Sequence, residues 1–151
     1  MNTPESTLPA MPDISGTWTE RGGVFWLYDH GLNVRELAAS MNAAGARFVT
    51  ITAYQLPKDE SFRLEYHWDL SGRLLGVGFN PDGDSIESIY DLCEAVDWIE
   101  REVHEGFGIH FIGREYEPLQ LRHRAAIGVN LREAGVPGKP GLGSVGQEAM
   151  K

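Results

Sequence analysis

One cysteine, Cys93, in 151 residues excludes an internal disulfide and any self-contained iron–sulfur or cysteine-rich zinc site. It is compatible with a reducing compartment. No apolar run approaches the ~18 residues of a membrane span. The first residues carry neither the basic nor the apolar segment of an export signal. Bases are scarce as well. Thirteen Lys and Arg against 22 Asp and Glu leave a net charge of −9, the reverse of the basic stripe that a phosphate backbone requires. Motifs of catalysis are equally thin. His30, His67, His104, His110 and His123 form no H-E-x-x-H and no i, i+4 helical pair, so the spacing of a metal site is missing. Gly141 to Gly146 matches G-x-G-x-x-G in letters, but no strand-like run precedes it and its surroundings are rich in Gly and Pro. Cys93 reads as a small apolar residue rather than a nucleophile. These lacks predict a soluble, acidic, cytoplasmic chain with no catalytic, cofactor or metal residues of its own and no nucleic-acid partner.

What is present suffices for one core: the chain is 42% hydrophobic and 10% aromatic, with four Trp. Residues 1–16, with Pro4, Pro9 and Pro12, read as a flexible leader. Residues 123–151 hold six glycines and two prolines, a composition that resists helices and central strands, and read as a Gly/Pro-rich tail or an arm that orders on a partner. The domain is expected between them, over 17–122.

Within it, Gly23 to Tyr28 reads as a strand. Asn33 with Glu36 three residues later forms a capping-box pattern, and Val34, Leu37, Ala38 and Met41 make one helical stripe that Gly45 closes. Arg47 to Tyr54, Phe62 to Trp68 and Leu74 to Phe79 read as three strands, the last two a hairpin about Ser71-Gly72. Ser88 with Asp91 predicts the start of a second helix, along which Ile89, Leu92, Val96, Ile99 and Val103 step by three and four. Ile109 to Ile112 is a short closing strand. The order β-α-β-β-β-α-β lacks crossover helices between adjacent strands. It predicts an α+β, two-layer fold: a mixed or antiparallel sheet, helices packed on one face, and flexible N- and C-terminal extensions.

From Asp82 to Glu105 there are nine acids and one base, Arg101. The stretch reads either as a solvated face or as an acidic edge awaiting a basic partner surface.

The run from Ser88 to Ile109, SIYDLCEAVDWIEREVHEGFGI, resembles the signature of the 30-kDa subunit family of respiratory complex I. Ser88, Trp98, the consecutive Glu100, Arg101 and Glu102, and the consecutive Phe107, Gly108 and Ile109 all stand at that signature's spacings. Gly45-Ala46-Arg47 and Tyr66-His67-Trp68-Asp69 resemble the family too, and the likeness spans residues 33–122. It implies a non-catalytic accessory subunit of a peripheral arm, without cofactor of its own, that packs against the large subunit. Partner docking is then expected of Glu100, Arg101, Glu102, Glu105, Phe107, Gly108 and Arg114. Departures from the pattern point to the branch found in energy-converting membrane-bound [NiFe] hydrogenases: Glu105 replaces the usual Asp, Gly106 a bulky residue, and Gly113-Arg114-Glu115 the usual Gly-His-Pro. In that branch the nickel site belongs to the large subunit, and iron–sulfur clusters belong to neighbouring ones. The alternative is the 30-kDa component of respiratory NADH:quinone oxidoreductase itself, whose partners hold FMN and iron–sulfur clusters around a 49-kDa-type subunit. A stand-alone regulatory binding module is a reading of a different class. Either complex would place the chain on the inner face of the cell membrane, touching the membrane only through its partners.

Overall fold

The computed structural model describes residues 10–58 and 61–119 together with Gly128 and Leu131. Chain order is β1 (Thr19–Arg21), β2 (Val24–Leu27), α1 (Val34–Ala43), β3 (Arg47–Gln55), β4 (Phe62–Leu70), β5 (Arg73–Phe79), β6 (Ser85–Glu87), α2 (Asp97–Phe107) and β7 (His110–Ile112). A 3-10 turn at Glu94–Val96 leads into α2.

Helix α1 forms where the capping box places it. Asn33 accepts from the Glu36 N–H, and the Glu36 carboxylate accepts from the Asn33 N–H. Its stripe of Val34, Leu37, Ala38 and Met41 is buried. After β2 the chain crosses through α1 to the far edge of the sheet, and then returns as the meander β3, β4, β5. The order is β1-β2-β5-β4-β3, and β5 pairs in parallel with β2 while its other neighbour is antiparallel. The sheet is therefore mixed. Ser71 and Gly72 both adopt positive φ, 52° and 87°, the geometry of a two-residue turn that twists with the strands it joins.

Strand β4 displays the two faces most plainly. Phe62, Leu64, Tyr66, Trp68 and Leu70 are buried against α1 and the rest of the core, while Arg63, Glu65, His67 and Asp69 point the other way and stay half-exposed. Phe107 of α2 meets Phe62 edge-on at 6.1 Å, so α2 covers the same face as α1. Both helices thus lie on one side of the sheet, as an α+β two-layer fold requires.

Four expectations are corrected. The pattern at Ser88 does not open a helix. Its hydroxyl accepts from the Tyr90 N–H and donates to Glu100, which closes a tight turn, and the helix begins at Asp97. Ile89, Val96 and Val103 are buried, but Leu92 is not, because the intervening chain is turn rather than helix. The closing strand β7 does not join the main sheet. It pairs in parallel with β6, a strand that periodicity did not reveal, and β1 likewise adds an unexpected edge. The leader ends earlier than residue 16: Pro12 and Ile14 are buried, with Met11 packed beside them. Residues 1–9 lie outside the described residues, as does the tail, apart from Gly128 and Leu131.

Candidate functional site

Helix α2 starts without a side-chain cap, since Val96 occupies that position. Its exposed N–H groups and positive dipole end are met by Asp97 and Glu100 in the first turn. With the start at Asp97, Glu100 belongs to the favourable end of the dipole rather than the unfavourable one.

Glu100 is 0% exposed. Its carboxylate accepts from the Ser88 hydroxyl at 2.7 Å, the Ile89 N–H at 3.0 Å and Arg114 at 2.9 Å. A buried charge is tolerated only when paired and fully hydrogen-bonded, and this one is both. Arg114, whose side chain is 6% exposed, also pairs with Asp97, and its guanidinium lies over the ring of Tyr90 at 4.8 Å and over that of Tyr116 at 5.3 Å. The hydrogen bond from Arg114 holds the Asp97 carboxyl below the usual carboxylate range, against the opposing pull of burial. Burial disfavours the Arg114 charge, yet its bonds to Asp97 and Glu100 raise its pKa above the ordinary value.

The segment after β7 is tied along α2 by the same means. Arg101 pairs with Asp97 at 3.1 Å and donates to the carbonyls of Glu117 at 3.0 Å and Pro118 at 3.3 Å. Glu105 accepts from the Leu119 N–H. Tyr116 stacks on His104 with centroids 3.9 Å apart, and its hydroxyl both accepts from the N–H of Phe111 and donates to its carbonyl. Desolvation pushes that phenol up to about 12. At the helix end Gly108 takes the left-handed conformation at φ 74°, and the N–H groups of Gly128 and Leu131 cap the carbonyls of Glu105 and Gly106.

The residues expected to dock therefore separate. Glu100 is corrected: fully buried and saturated, it offers nothing to a second chain and braces the fold. Arg101 and Arg114 are engaged within the chain by their guanidinium groups, and Glu105 by the Leu119 amide. Phe107 is partly buried against Phe62, and Gly108 forms the helix cap. Glu102 is exposed. The residue missed is Trp98, 65% exposed one position inside α2. It falls outside the stripe of Ile89, Val96 and Val103, which was the signal that could have found it. Around it the lobe from Asp82 to Glu117 holds eleven acids and two arginines, Arg101 and Arg114, and both arginines are spent internally. Among the described residues the exposed carboxylates of Glu94, Glu102 and Glu115 have no ion-pair partner. Among the described residues no group of three His, Cys, Asp or Glu could hold a metal ion. No described helix is long and apolar enough to cross a membrane.

Residues 32–134 match the family described as the respiratory-chain NADH dehydrogenase, 30 Kd subunit. The chain belongs to this family. Two solved structures share its fold. A trypsin-resistant fragment of Nqo5 is 22% identical with a TM-score of 0.56, covering 67% of this chain and 89% of its own. A chain of the membrane-bound sulfane sulfur reductase, an archaeal respiratory membrane complex, is 24% identical with a TM-score of 0.57, covering 69% of this chain and 65% of its own. As a 30-kDa-type subunit of a respiratory complex, the chain has other subunits of such a complex as its partners. One departure from the family pattern now has a structural reading. Arg114, standing where Gly-His-Pro is usual, supplies the cation that neutralises Glu100 and Asp97.

Proposed function

We propose that this 30-kDa-type protein is a non-catalytic accessory subunit in the peripheral arm of a complex I-like membrane-bound [NiFe] hydrogenase. In this reading it docks through α2 on the large, nickel-carrying subunit and supports assembly for electron transfer. The cofactors, nickel–iron and iron–sulfur, then belong to its partners, and the complex holds the chain on the inner face of the cell membrane. The observation that carries the docking role is the exposed Trp98 set among carboxylates that have no ion-pair partner among the described residues. An isolated large aromatic on an acidic helix suits an apolar pocket rimmed by basic residues, where aromatic anchors dominate binding and charge sets specificity. The hydrogenase branch is favoured by the departures at Glu105, Gly106 and Gly113-Arg114-Glu115.

The test is purification of the complex from native membranes through a tag on this chain, followed by assay of nickel and flavin. Stoichiometric nickel in the co-purifying large subunit supports the hydrogenase reading. Flavin without nickel supports the second reading, the 30-kDa component of NADH:quinone oxidoreductase, which the description of the matched family itself favours. A chain recovered alone and away from membranes sinks both, and leaves a stand-alone regulatory module. Trp98→Ala combined with Glu102→Lys should abolish recovery of the large subunit while the isolated chain melts as before.

A further inference from the structure

The small sheet of β6 and β7 has two outer edges, and the chain fills both from within. Parallel pairing turns alternate residues of each strand toward the other. The His110 N–H donates to the Asp84 carbonyl and the Ser88 N–H to the Ile112 carbonyl, so His110 and Ile112 face β6. Ile109 and Phe111 therefore present their backbone groups to the opposite side, along the line a third strand would take. There the Tyr116 hydroxyl accepts from the Phe111 N–H and donates to the Phe111 carbonyl at 3.1 Å. The His104 ring donates from Nδ1 to the Ile109 carbonyl at 2.9 Å. The two rings that make these bonds are stacked on each other, 12° from parallel. One comes from α2 and the other from the segment after β7, and Phe111 is fully buried.

The β6 edge is closed in a similar way. Ser85, which faces away from β7, exchanges both of its backbone bonds with Asp82, at 2.9 and 3.0 Å. Glu87, the next outward residue, is exposed and charged. The five-stranded sheet blunts its edges by other means: β1 is three residues long, and β3 is bulged between Phe48 and Thr50. Holding β7 in place does not require the ring pair, since β6 already pairs with it, and backbone groups on an edge left open would be satisfied by water. What an open edge would do is template a further strand.

We infer that the His104–Tyr116 stack is an edge guard, which keeps the outer edge of β7 from pairing with the β7 of a second copy of this chain. The geometry favours a second copy as the strand excluded. Two such edges set antiparallel about a two-fold axis put Phe111 opposite Phe111, and a pair of this kind exchanges both N–H···O bonds. Ile112, 50% exposed, adds apolar surface beside it. The guard lies in the same lobe as Trp98, so α2 can be displayed to a partner while strand pairing between copies is withheld. This inference is independent of which neighbour α2 holds.

The test is sedimentation velocity on the full chain across a range of concentrations. Salt of about 0.5 M shortens the screening length to roughly 4 Å, so the acidic surface no longer holds copies apart. The quantity read is the self-association constant relative to the unaltered chain. Tyr116→Ala opens the edge and should raise that constant at least about tenfold. Tyr116→Phe frees the same two backbone groups but leaves the ring over them, and should raise it about threefold. This second variant decides the matter if Tyr116→Ala does not fold. Adding Ile112→Lys to either should return the constant to that of the unaltered chain, because a lysine on an edge strand opposes pairing. That change makes the net charge less negative, so stronger repulsion cannot explain the loss. Gly76→Ala, which crowds the Trp26 ring in the main sheet, controls for destabilisation alone and should leave the constant unchanged. The inference is overturned if neither Tyr116 variant associates more strongly than the unaltered chain. Equal association by Gly76→Ala overturns it too, as does association that persists with Ile112→Lys.

Discussion

Arg114 and Arg63 both lie over tyrosine rings, at 4.8 Å from Tyr90 and 4.5 Å from Tyr28, yet they do different work. Arg114 is 6% exposed and saturated by Glu100 and Asp97, whereas Arg63 is 22% exposed with its carboxylate 3.9 Å away. The same residue types make a tight internal brace where water is excluded and a looser, partly solvated cluster where it is not. Desolvation decides the difference: each charge buried beneath α2 must be met in full, so Glu100 and Arg114 themselves are not left over for a partner. On the open sheet face solvent supplements looser contacts, and Arg63 is held only by the long pair with Glu65 and a 3.4 Å bond to the Asn80 side chain.

The contrast is broken most severely by Arg114→Ala. Leaving Glu100 buried without its cation should cost about 3–5 kcal/mol, read by denaturant unfolding of the isolated chain. A loss near zero would mean that water reaches Glu100 and that the brace is a surface pair. Arg101→Ala should cost less, about 2 kcal/mol, because its bonds to Asp97 and the carbonyls of Glu117 and Pro118 are partly exposed. Hydrogen exchange should show the segment around Glu117 opening in this variant. On the other side of the sheet, Gly76→Ala should cost about 1–2 kcal/mol by pushing the Trp26 ring off the strand, with a matching change in near-ultraviolet circular dichroism.

The comparison can be sharpened with alkali. Tyr116 has its folded pKa raised from 10.0 to about 12, so its contribution is complete below pH 10 and is lost as pH climbs through about 12. Tyr116→Phe should flatten the decline of stability across that window, and an unchanged decline would assign it to other phenols. The smallest effect is expected of Trp98→Ser. Because the side chain is 65% exposed, the melt of the isolated chain should move by no more than about 0.5 kcal/mol, although co-purification of the partner should fail. A large loss of stability instead would place Trp98 in the brace.

Local patterns were legible wherever a short stretch of chain determines its own conformation. The α1 capping box, its four-residue stripe and the Ser71-Gly72 hairpin need only neighbours within a few residues, and all formed as read. The alternation along Phe62 to Trp68 assigned both faces of β4 correctly, because side chains on a strand must alternate. The start of α2 was misread because Ser88 meets its partner, Glu100, twelve positions away, and a local capping pattern cannot reveal that. Glu100, Arg101 and Glu102 illustrate the same limit. As consecutive helical residues they had to point in different directions, but which of them faced inward depended on Arg114 arriving from beyond β7.

Composition and periodicity by themselves determined the α+β class, most of the elements and the acidic character, since each depends on residue type or on separation along the chain, and the run from Ser88 to Ile109 carried the resemblance to the family. Only the tertiary structure decided which charges are consumed and which are offered. Arg114 must be carried back across α2 before Glu100 can be buried, and β5 must be inserted beside β2 before Gly76 and Gly78 can lie under Trp26 and Tyr28. Burial and pairing are properties of groups brought together from distant positions, and the free energy of a charge depends on that company rather than on its neighbours in sequence.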